Sequence, residues 1–259
     1  MPVRTSYLQG TPNWVDLQTT DQAAAKSFYA ALFGWTYDDQ PMPQGPVYSM
    51  ARLGEGYAAA IAPQSPELAA AGEPPAWNTY LAVDSVDDAV AKVEAAGGQV
   101  AMPPFDVTDA GRMAFVLDPS GAPVAFWQAG QHIGASVVNE PGAILWNELV
   151  TTDPSVTAFY EQVLGLTTSV MDMGTGTYTL FETGGAMVGG TVAPQMPGVP
   201  NHWHVYFQVA GTDAAVAKVA ELGGSILVEP FDSPVGRIAT VRDPQGAVFS
   251  IIEPPAQPA

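Results

Sequence analysis

Cysteine is absent from this 259-residue sequence, and basic residues are scarce. Without cysteine the chain has no disulfide, no thiolate metal ligand and no cysteine nucleophile. Only 8 Lys and Arg residues stand against 26 Asp and Glu residues, which gives a formal net charge of −18. Nucleic acid and anionic membrane surfaces are therefore not expected as partners, because no basic cluster is available to neutralise their phosphates.

Long apolar runs are missing as well. No stretch approaches the roughly 20 apolar residues of a transmembrane helix, and the first ten residues, MPVRTSYLQG, lack the apolar core of a signal peptide. We therefore expect a cytoplasmic protein whose partner is a small molecule. Hydrophobic residues make up 47% of the chain, enough to fill the core of one large domain or two ordinary ones.

An internal repeat divides the chain into two halves. The segment NWVDL at 13–17 returns as LWNEL at 145–149, and the turn DPSG at 118–121 returns as DPQG at 243–246. Further matching pairs keep the same order along the chain. The predicted organisation is a first domain at 11–129, a linker at 130–141, a second domain at 142–254 and a flexible Pro-rich tail at 255–259.

Each half repeats one order of elements, a strand, a helix and further strands, twice over. Trp14–Gln18 alternates like a strand and leads into a helix from about Asp21. Ser85 is the predicted N-cap of the next helix, and Thr212–Gly223 forms its counterpart in the second half. The Pro-rich segment 62–75 is expected to be a loop. The pattern predicts four β-α-β-β-β units, two in each half.

The segment NHWHVYF at 201–207 holds two of the three histidines. Its aromatic and β-branched residues predict a strand, with His202, His204 and Tyr206 on one face and Trp203 on the other. The polar, aromatic face suits the floor of a small-molecule site, and the opposite face suits the core. The alternative is that His202 is a residue at the edge of a loop and His204 a half-buried, hydrogen-bonded one.

The first strand of each half carries a tryptophan and a carboxylate on one face. These pairs are Trp14 with Asp16 and Trp146 with Glu148. A carboxylate among aromatic rings is costly to bury unless it is paired, and desolvation is expected to raise its pKa. Each carboxylate therefore either takes part in chemistry or bonds a backbone N–H group or an arginine.

Two arginines are the natural counter-charges for these carboxylates. Arg112 and Arg237 each follow a glycine at the start of an apolar strand. They are expected to hold Asp16 and Glu148, or an anionic group of a substrate, through paired N–H bonds. A salt bridge at the mouth of the site is the alternative.

The sequence resembles the vicinal oxygen chelate superfamily, which includes glyoxalase I, extradiol dioxygenases and the fosfomycin- and bleomycin-resistance proteins. The resemblance is carried by the FY…LG segments, the helices that end in GG and the DP-x-G turns. GTPNWVDLQT, WNEL and NHWHVYF are similar to a two-domain actinobacterial group with glyoxalase-like or hydroxylase names, which includes a mycobacterial culture-filtrate antigen. The resemblance implies an α+β fold of tandem domains, in which the four units form two cupped mixed sheets with helices outside. It leaves open which units pair, and whether the protein is a monomer or a homodimer.

The resemblance also implies where metal-using members place their ligands. Of the residues at the matching positions in this chain, only His204 has a side chain that commonly binds metals, whereas a divalent cation needs three or four such ligands. A shifted set of Glu148, His202 and His204 is the remaining combination. We therefore expect no metal site and no required cofactor, although a flavin or deazaflavin helper is compatible with the sequence. The matching positions are Trp14, Asn78 and Ala125 in the first half and Trp146, His204 and Ser250 in the second, with a fourth near Ala60 and Gly190.

Three functions follow from these residues. In the first, His204, titrating near neutral pH, and Glu148 form an acid–base pair that moves a proton next to a carbonyl of a small aromatic or polyketide-like molecule. In the second, a protein like those of bleomycin resistance sequesters a cationic planar ligand. The third is a metalloenzyme of glyoxalase or dioxygenase type. The candidate binding residues are Trp146, Tyr206, Arg237, Ser250 and His202 in the second half and Trp14, Asp16, Asn78, Tyr80 and Arg112 in the first.

Overall fold

The computed structural model of the chain describes residues 3–41, 46–172 and 176–255. Within these residues each half forms one mixed sheet of eight strands. The predicted flexible tail lies outside the described residues except for Pro255. The first sheet contains β1 (Pro12–Thr19), β2 (Thr36–Gln40), β3 (Tyr48–Leu53), β4 (Gly56–Pro63), β5 (Ala76–Ala82), β6 (Gln99–Val107), β7 (Gly111–Leu117) and β8 (Pro123–Ala129). The second contains β9 (Ile144–Val150), β10 (Thr167–Asp172), β11 (Thr177–Thr183), β12 (Ala186–Val192), β13 (His202–Gln208), β14 (Ser225–Ser233), β15 (Gly236–Arg242) and β16 (Val248–Glu253).

The helices begin where the capping residues place them. Asp21 caps the first helix and Ser85 the third, each accepting a backbone N–H bond from the residue three positions on. The segment 62–75, expected as a loop, contains a short helix because Ser65 caps it and Pro66 occupies its first position. The α-helices of the described residues are α1 (Gln22–Phe33), α2 (Pro66–Ala71), α3 (Val86–Val93), α4 (Thr157–Leu164) and α5 (Thr212–Glu221), and a 3-10 turn at Pro154–Val156 precedes α4.

Both sheets have the same topology. The strand order is β2-β3-β4-β1-β5-β8-β7-β6 in the first and β10-β11-β12-β9-β13-β16-β15-β14 in the second. Strand β1 runs parallel to β4 of its own unit and antiparallel to β5 of the next, and β9 pairs with β12 and β13 in the same way. The units therefore pair within each half, and the predicted α+β fold with two mixed sheets is confirmed.

The first helix of each half reaches across to the DP-x-G turn of the other half. The Tyr29 hydroxyl of α1 donates to Asp243 at 3.0 Å, and the Tyr160 hydroxyl of α4 donates to Asp118 at 2.8 Å. All four side chains sit on the apolar interface between the halves. This reciprocal packing covers the outer faces of both sheets and leaves their inner faces for a site.

The outer faces of the central strands are part of the core, as predicted. Trp77 on β5 and Trp203 on β13 are 6% and 4% exposed, and their indole N–H groups donate to Tyr29 and Tyr160. Every helix within the described residues is too short or too polar to cross a membrane.

Candidate functional site

The inner face of the second sheet, here called the second cup, lines a cavity of about 1990 Å³. Strands β9 and β13 form its floor, and the Pro-rich segment 193–200 borders it. Its lining is mainly apolar, with a few polar groups brought together on the floor. Those groups include Trp146, Glu148, Tyr178, His202, His204 and Tyr206.

Glu148 is held by two tyrosines. The Tyr206 hydroxyl donates to Glu148 Oε1 at 3.0 Å, and the Tyr178 hydroxyl also donates to this carboxylate. The Trp146 indole N–H in turn donates to the Tyr178 hydroxyl at 2.8 Å. Burial raises the pKa of Glu148, and the two tyrosine hydrogen bonds only partly oppose this rise. The result is a desolvated carboxylate on the floor of an open cavity.

His204 lies opposite Glu148 in the pairing of β13 with β9. Its Nε2 is 2.8 Å from Ser250 Oγ, and its Nδ1 is 3.4 Å from Nε2 of His202. Burial, together with the neighbouring His202, lowers the pKa of His204 to about 3. The two members of the predicted acid–base pair therefore share one hollow. The expectation that His204 titrates near neutral pH is wrong, because its ring is desolvated and lies beside His202.

The inner face of the first sheet, here called the first cup, carries the same carboxylate arrangement. Asp16 Oδ2 accepts from the hydroxyls of Tyr48 at 3.0 Å and Tyr80 at 2.7 Å, and Oδ1 accepts from the Asn78 amide at 2.8 Å. The Trp14 indole donates to Tyr48 at 2.9 Å, as Trp146 does to Tyr178 in the second cup. Desolvation raises the pKa of Asp16, opposed by these three hydrogen bonds.

The first cup is filled by the protein itself. His132, from the segment between the sheets, packs edge-on against Trp14 with ring centroids 4.5 Å apart, and its carbonyl accepts from the Trp127 indole at 2.8 Å. Trp14, Asp16 and Tyr80 are each 5% exposed or less. Of the predicted binding residues of the first half, Trp14, Asp16 and Tyr80 therefore lie together inside the core, and the half-buried Asn78 lies beside them.

The predicted pairing of the arginines with the cup carboxylates is wrong. Tyrosine hydroxyls, and in the first cup an asparagine amide, hold Asp16 and Glu148. Each arginine instead bridges the first turn of a helix and a neighbouring strand at the protein surface. The ion pairs are Arg112 with Asp87 and Asp106, and Arg237 with Asp213 and Asp232, at 2.8 to 2.9 Å.

Sequence reasoning missed the tyrosines that hold each carboxylate from the same unit. Tyr48 and Tyr178 occupy equivalent places on β3 and β11, so the repeat itself was the available signal. His132 had no such signal, since it lies outside both repeats. Thr240, half-buried on β15 and lining the cavity, was missed as well.

The side chains at the superfamily's metal positions do not fit a divalent cation. The Trp146 indole offers a donor and no lone pair, and both His204 nitrogens are engaged by Ser250 and His202. In the part of the chain that the structure describes, no three His, Asp or Glu side chains converge as a metal site would require.

Comparisons with known proteins identify the family. The model of the Glyoxalase/Bleomycin resistance protein/Dioxygenase superfamily matches residues 11–126 and 143–251. The chain belongs to this superfamily, and the resemblance seen in its sequence is confirmed. It is 58% identical to "Putative glyoxylase CFP32" of Mycobacterium tuberculosis, over 99% of this chain and 100% of that protein. It is 38% identical to "Anthracycline biosynthesis protein DnrV" of Streptomyces peucetius, over 96% of this chain and 95% of that protein.

Solved structures show the same fold at low sequence identity. The Mn(II)-bound glyoxalase of Novosphingobium aromaticivorans aligns with a TM-score of 0.65 and 17% identity, over 95% of this chain and 83% of that one. The 2,3-dioxygenase LapB of a Pseudomonas species aligns with a TM-score of 0.65 and 14% identity, over 98% of this chain and 96% of that one. At such low identities a shared fold does not establish a shared chemistry, so the function of this chain depends on its site residues.

Proposed function

We propose that the second cup binds a small aromatic or polyketide-like metabolite and transforms it by proton transfer at Glu148, without a required metal. The observation that carries this proposal is a buried carboxylate facing an open, mainly apolar cavity, with tyrosine hydroxyls rather than cations as its partners. Burial raises the pKa of Glu148 above its ordinary value, which makes its carboxylate a stronger base than an exposed one.

The shape and lining of the second cup support an aromatic ligand. Its volume exceeds the roughly 300–1,000 Å³ of ordinary ligand pockets, so it has room for several fused rings. Trp146, Tyr178 and Tyr206 offer flat surfaces on the floor, and exposed Met187 and Phe231 line the same cavity. The relative whose name refers to anthracycline biosynthesis supports the same ligand class.

The proposed step is an isomerisation in which Glu148 acts as base and then as acid. Its carboxylate removes a proton from a carbon next to a ligand carbonyl, leaving an enolate, and returns that proton at another atom of the ligand. No co-reactant is needed, because the proton removed is the proton returned. His204 remains neutral and supports the floor through its hydrogen bonds instead of sharing the proton.

The test compares matched carboxylate variants in the two cups. Glu148→Gln should lower turnover of aromatic polyketide substrates by about 100-fold or more, because the base is lost while the size of the side chain is kept. Asp16→Asn changes the equivalent carboxylate in the filled cup and should leave turnover within about 2-fold. Product formation is followed by mass spectrometry, and unfolding midpoints confirm that both variants are folded. Full activity of Glu148→Gln would rule out the proposed chemistry.

Metal independence has its own measurement. Elemental analysis of the active protein, and its activity after dialysis against a chelator, should show full turnover without stoichiometric metal. Activation by Ni, Zn, Fe or Mn would instead favour a metalloenzyme of glyoxalase type.

Sequestration of a cationic planar ligand is the second candidate function. Glu148 lacks an arginine or lysine partner among the described residues, and the net charge of −18 attracts cations over long range. Calorimetry would then show binding that weakens with added salt, and no product would form.

A further inference from the structure

Four polar side chains form a hydrogen-bonded series along the wall of the second cup. Thr240 Oγ1 lies 2.9 Å from Ser250 Oγ, which lies 2.8 Å from His204 Nε2. His204 Nδ1 lies 3.4 Å from His202 Nε2, and His202 Nδ1 lies 2.8 Å from the Pro200 carbonyl oxygen. The series begins at the cavity, where Thr240 is half-buried, and ends at the Pro-rich segment.

The carbonyl of Pro200 fixes the direction of every bond in this series. A carbonyl only accepts, so a neutral His202 must carry its proton on Nδ1, which leaves Nε2 as an acceptor. His204 must then donate from Nδ1, and its Nε2 accepts the Ser250 hydroxyl proton. Ser250 Oγ in turn accepts from Thr240. Both histidines are thereby held as Nδ1–H tautomers, and the Thr240 oxygen has only lone pairs to offer the cavity.

The hydrogen-bond donors on the floor of the second cup are likewise already bound to acceptors within the protein. The Trp146 indole donates to Tyr178, and the hydroxyls of Tyr178 and Tyr206 donate to Glu148. Two of the side chains that line the cavity therefore present acceptors to a ligand, namely Glu148 on β9 and Thr240 on β15, three strands away. A complementary ligand must therefore carry hydrogen-bond donors.

The first cup shows that this series is not a requirement of the fold. Strand register places Ala76, Asn78, Ala125 and Phe115 where the second half has His202, His204, Ser250 and Thr240. All four positions differ together, and the series occurs in the half whose cup is open.

We propose that Thr240 is a specificity-determining residue, held as an acceptor by Ser250, His204 and His202, and that the second cup selects aromatic ligands bearing free hydroxyl groups. This inference rests on the proposed function, because it assumes that the ligand occupies the second cup. A hydroxyl on the ligand donates to Thr240 Oγ1, and a second donor faces Glu148. Methylation of such a hydroxyl removes the proton and leaves two acceptors facing each other.

Nitrogen-15 NMR of the intact protein tests the series without any ligand. The chain has three histidines, so the spectrum is small, and His132→Leu and His202→Asn assign the signals. His202 and His204 should both show the Nδ1–H tautomer at neutral pH. An Nε2–H tautomer at either residue would overturn the proposed direction.

Ligand preference tests the specificity. A hydroxyanthraquinone should bind at least about 10-fold tighter than its methyl ether in calorimetry, and Thr240→Val should reduce this preference to about 2-fold or less. Ser250→Ala should weaken the preference too, because it frees the Thr240 proton to point into the cavity. Thr179→Val is the matched control, because this half-buried threonine of β11 points to the opposite face from Tyr178 and should keep the full preference.

The outcomes separate this inference from the proposed function. Equal affinity for the two anthraquinones would overturn the donor requirement while leaving aromatic binding in the second cup intact. Failure of both to bind, with the tautomers as expected, would overturn the aromatic ligand class itself and with it both proposals. An unchanged preference in Thr240→Val would overturn the role of Thr240.

Discussion

The two cups have the same strand register and an equivalent carboxylate, yet the first is part of the core and the second lines a cavity. In the first, Asp16 accepts three hydrogen bonds, and the ring of His132 packs on the neighbouring Trp14. In the second, Glu148 is held by two tyrosines and faces open space. The side chain opposite the carboxylate differs as well, since Asn78 bonds Asp16 whereas His204 turns to its own strand and to Ser250.

This difference shows that a buried carboxylate among aromatic side chains does not by itself mark a site in this fold. What separates the halves is whether other parts of the chain fill the hollow and whether the carboxylate has its full set of donors. A satisfied and enclosed carboxylate stabilises a structure, whereas one with spare capacity beside a cavity can meet a ligand. The comparison predicts that substitutions in the first cup act mainly on stability and those in the second mainly on function.

The largest difference in stability is expected from removing the carboxylates themselves. Asp16→Ala leaves three enclosed donors without an acceptor and should cost about 3 kcal/mol of unfolding free energy. Glu148→Ala should cost about 1 kcal/mol, because water in the cavity can accept from the two tyrosines. Urea unfolding of both variants measures the contrast. Equal losses would mean that the two cups are equally closed.

Removing the ring that fills the first cup should have the next largest effect. His132→Ala deletes contacts with Trp14 and Trp127 and should cost about 2 kcal/mol. His202→Ala, a half-buried ring beside the open cavity, is the control and should cost about 1 kcal/mol or less. Because the His132 Nε2 atom is buried without a hydrogen-bond partner among the described residues, His132→Leu should recover most of the loss. A larger loss in His202→Ala than in His132→Ala would contradict the assignment of the filled cup.

The filled cup should also make stability depend on pH. Burial lowers the pKa of His132 to about 4 from the ordinary value of 6.5. Between these two pH values the imidazole of His132 is protonated in the unfolded chain but neutral in the folded chain. Lowering the pH therefore favours unfolding, and this contribution to stability is lost as the pH falls. His132→Leu removes the effect, so its stability relative to the unmodified protein should rise by up to about 3 kcal/mol as the pH falls from 6.5 to 4. A constant difference across this range would show that the ring is solvated.

The repeat and the strand periodicity were enough to predict the two sheets and the faces of their central strands. Alternation placed Asp16, Glu148 and His204 on the inner faces, because side-chain direction in a strand depends only on local sequence. The partners of these residues depend on which strands lie side by side. Tyr178 reaches Glu148 from β11, which follows α4 in the same unit. The sequences of these short strands did not predict how the strands pair.

The other differences between the sequence predictions and the structure depend on which segments lie close together in the folded chain. The arginines were scarce enough to look like partners for the cup carboxylates, but Asp87 and Asp213, at the starts of α3 and α5, lie nearer to them. The lowered pKa of His204 reflects desolvation by its surroundings, which no local pattern contains. The filling of the first cup depends on where the segment between the sheets runs, and a single histidine in such a segment carries no periodic signal.

The smallest expected effect concerns the residue beside each carboxylate on the neighbouring parallel strand. Register pairs Ala60 with Asp16 and Gly190 with Glu148. A methyl group on Gly190 would overlap the ring of Tyr178, so Gly190→Ala should push that tyrosine away from Glu148 and reduce ligand binding in the second cup. The reciprocal Ala60→Gly should cost only about 0.5–1 kcal/mol, through backbone entropy in a strand whose cup is already filled. Calorimetry for the first variant and urea unfolding for the second measure these effects. If Gly190→Ala bound ligand as the unmodified protein does, the Tyr178–Glu148 contact would have no part in the site, and the second cup would act through its shape alone.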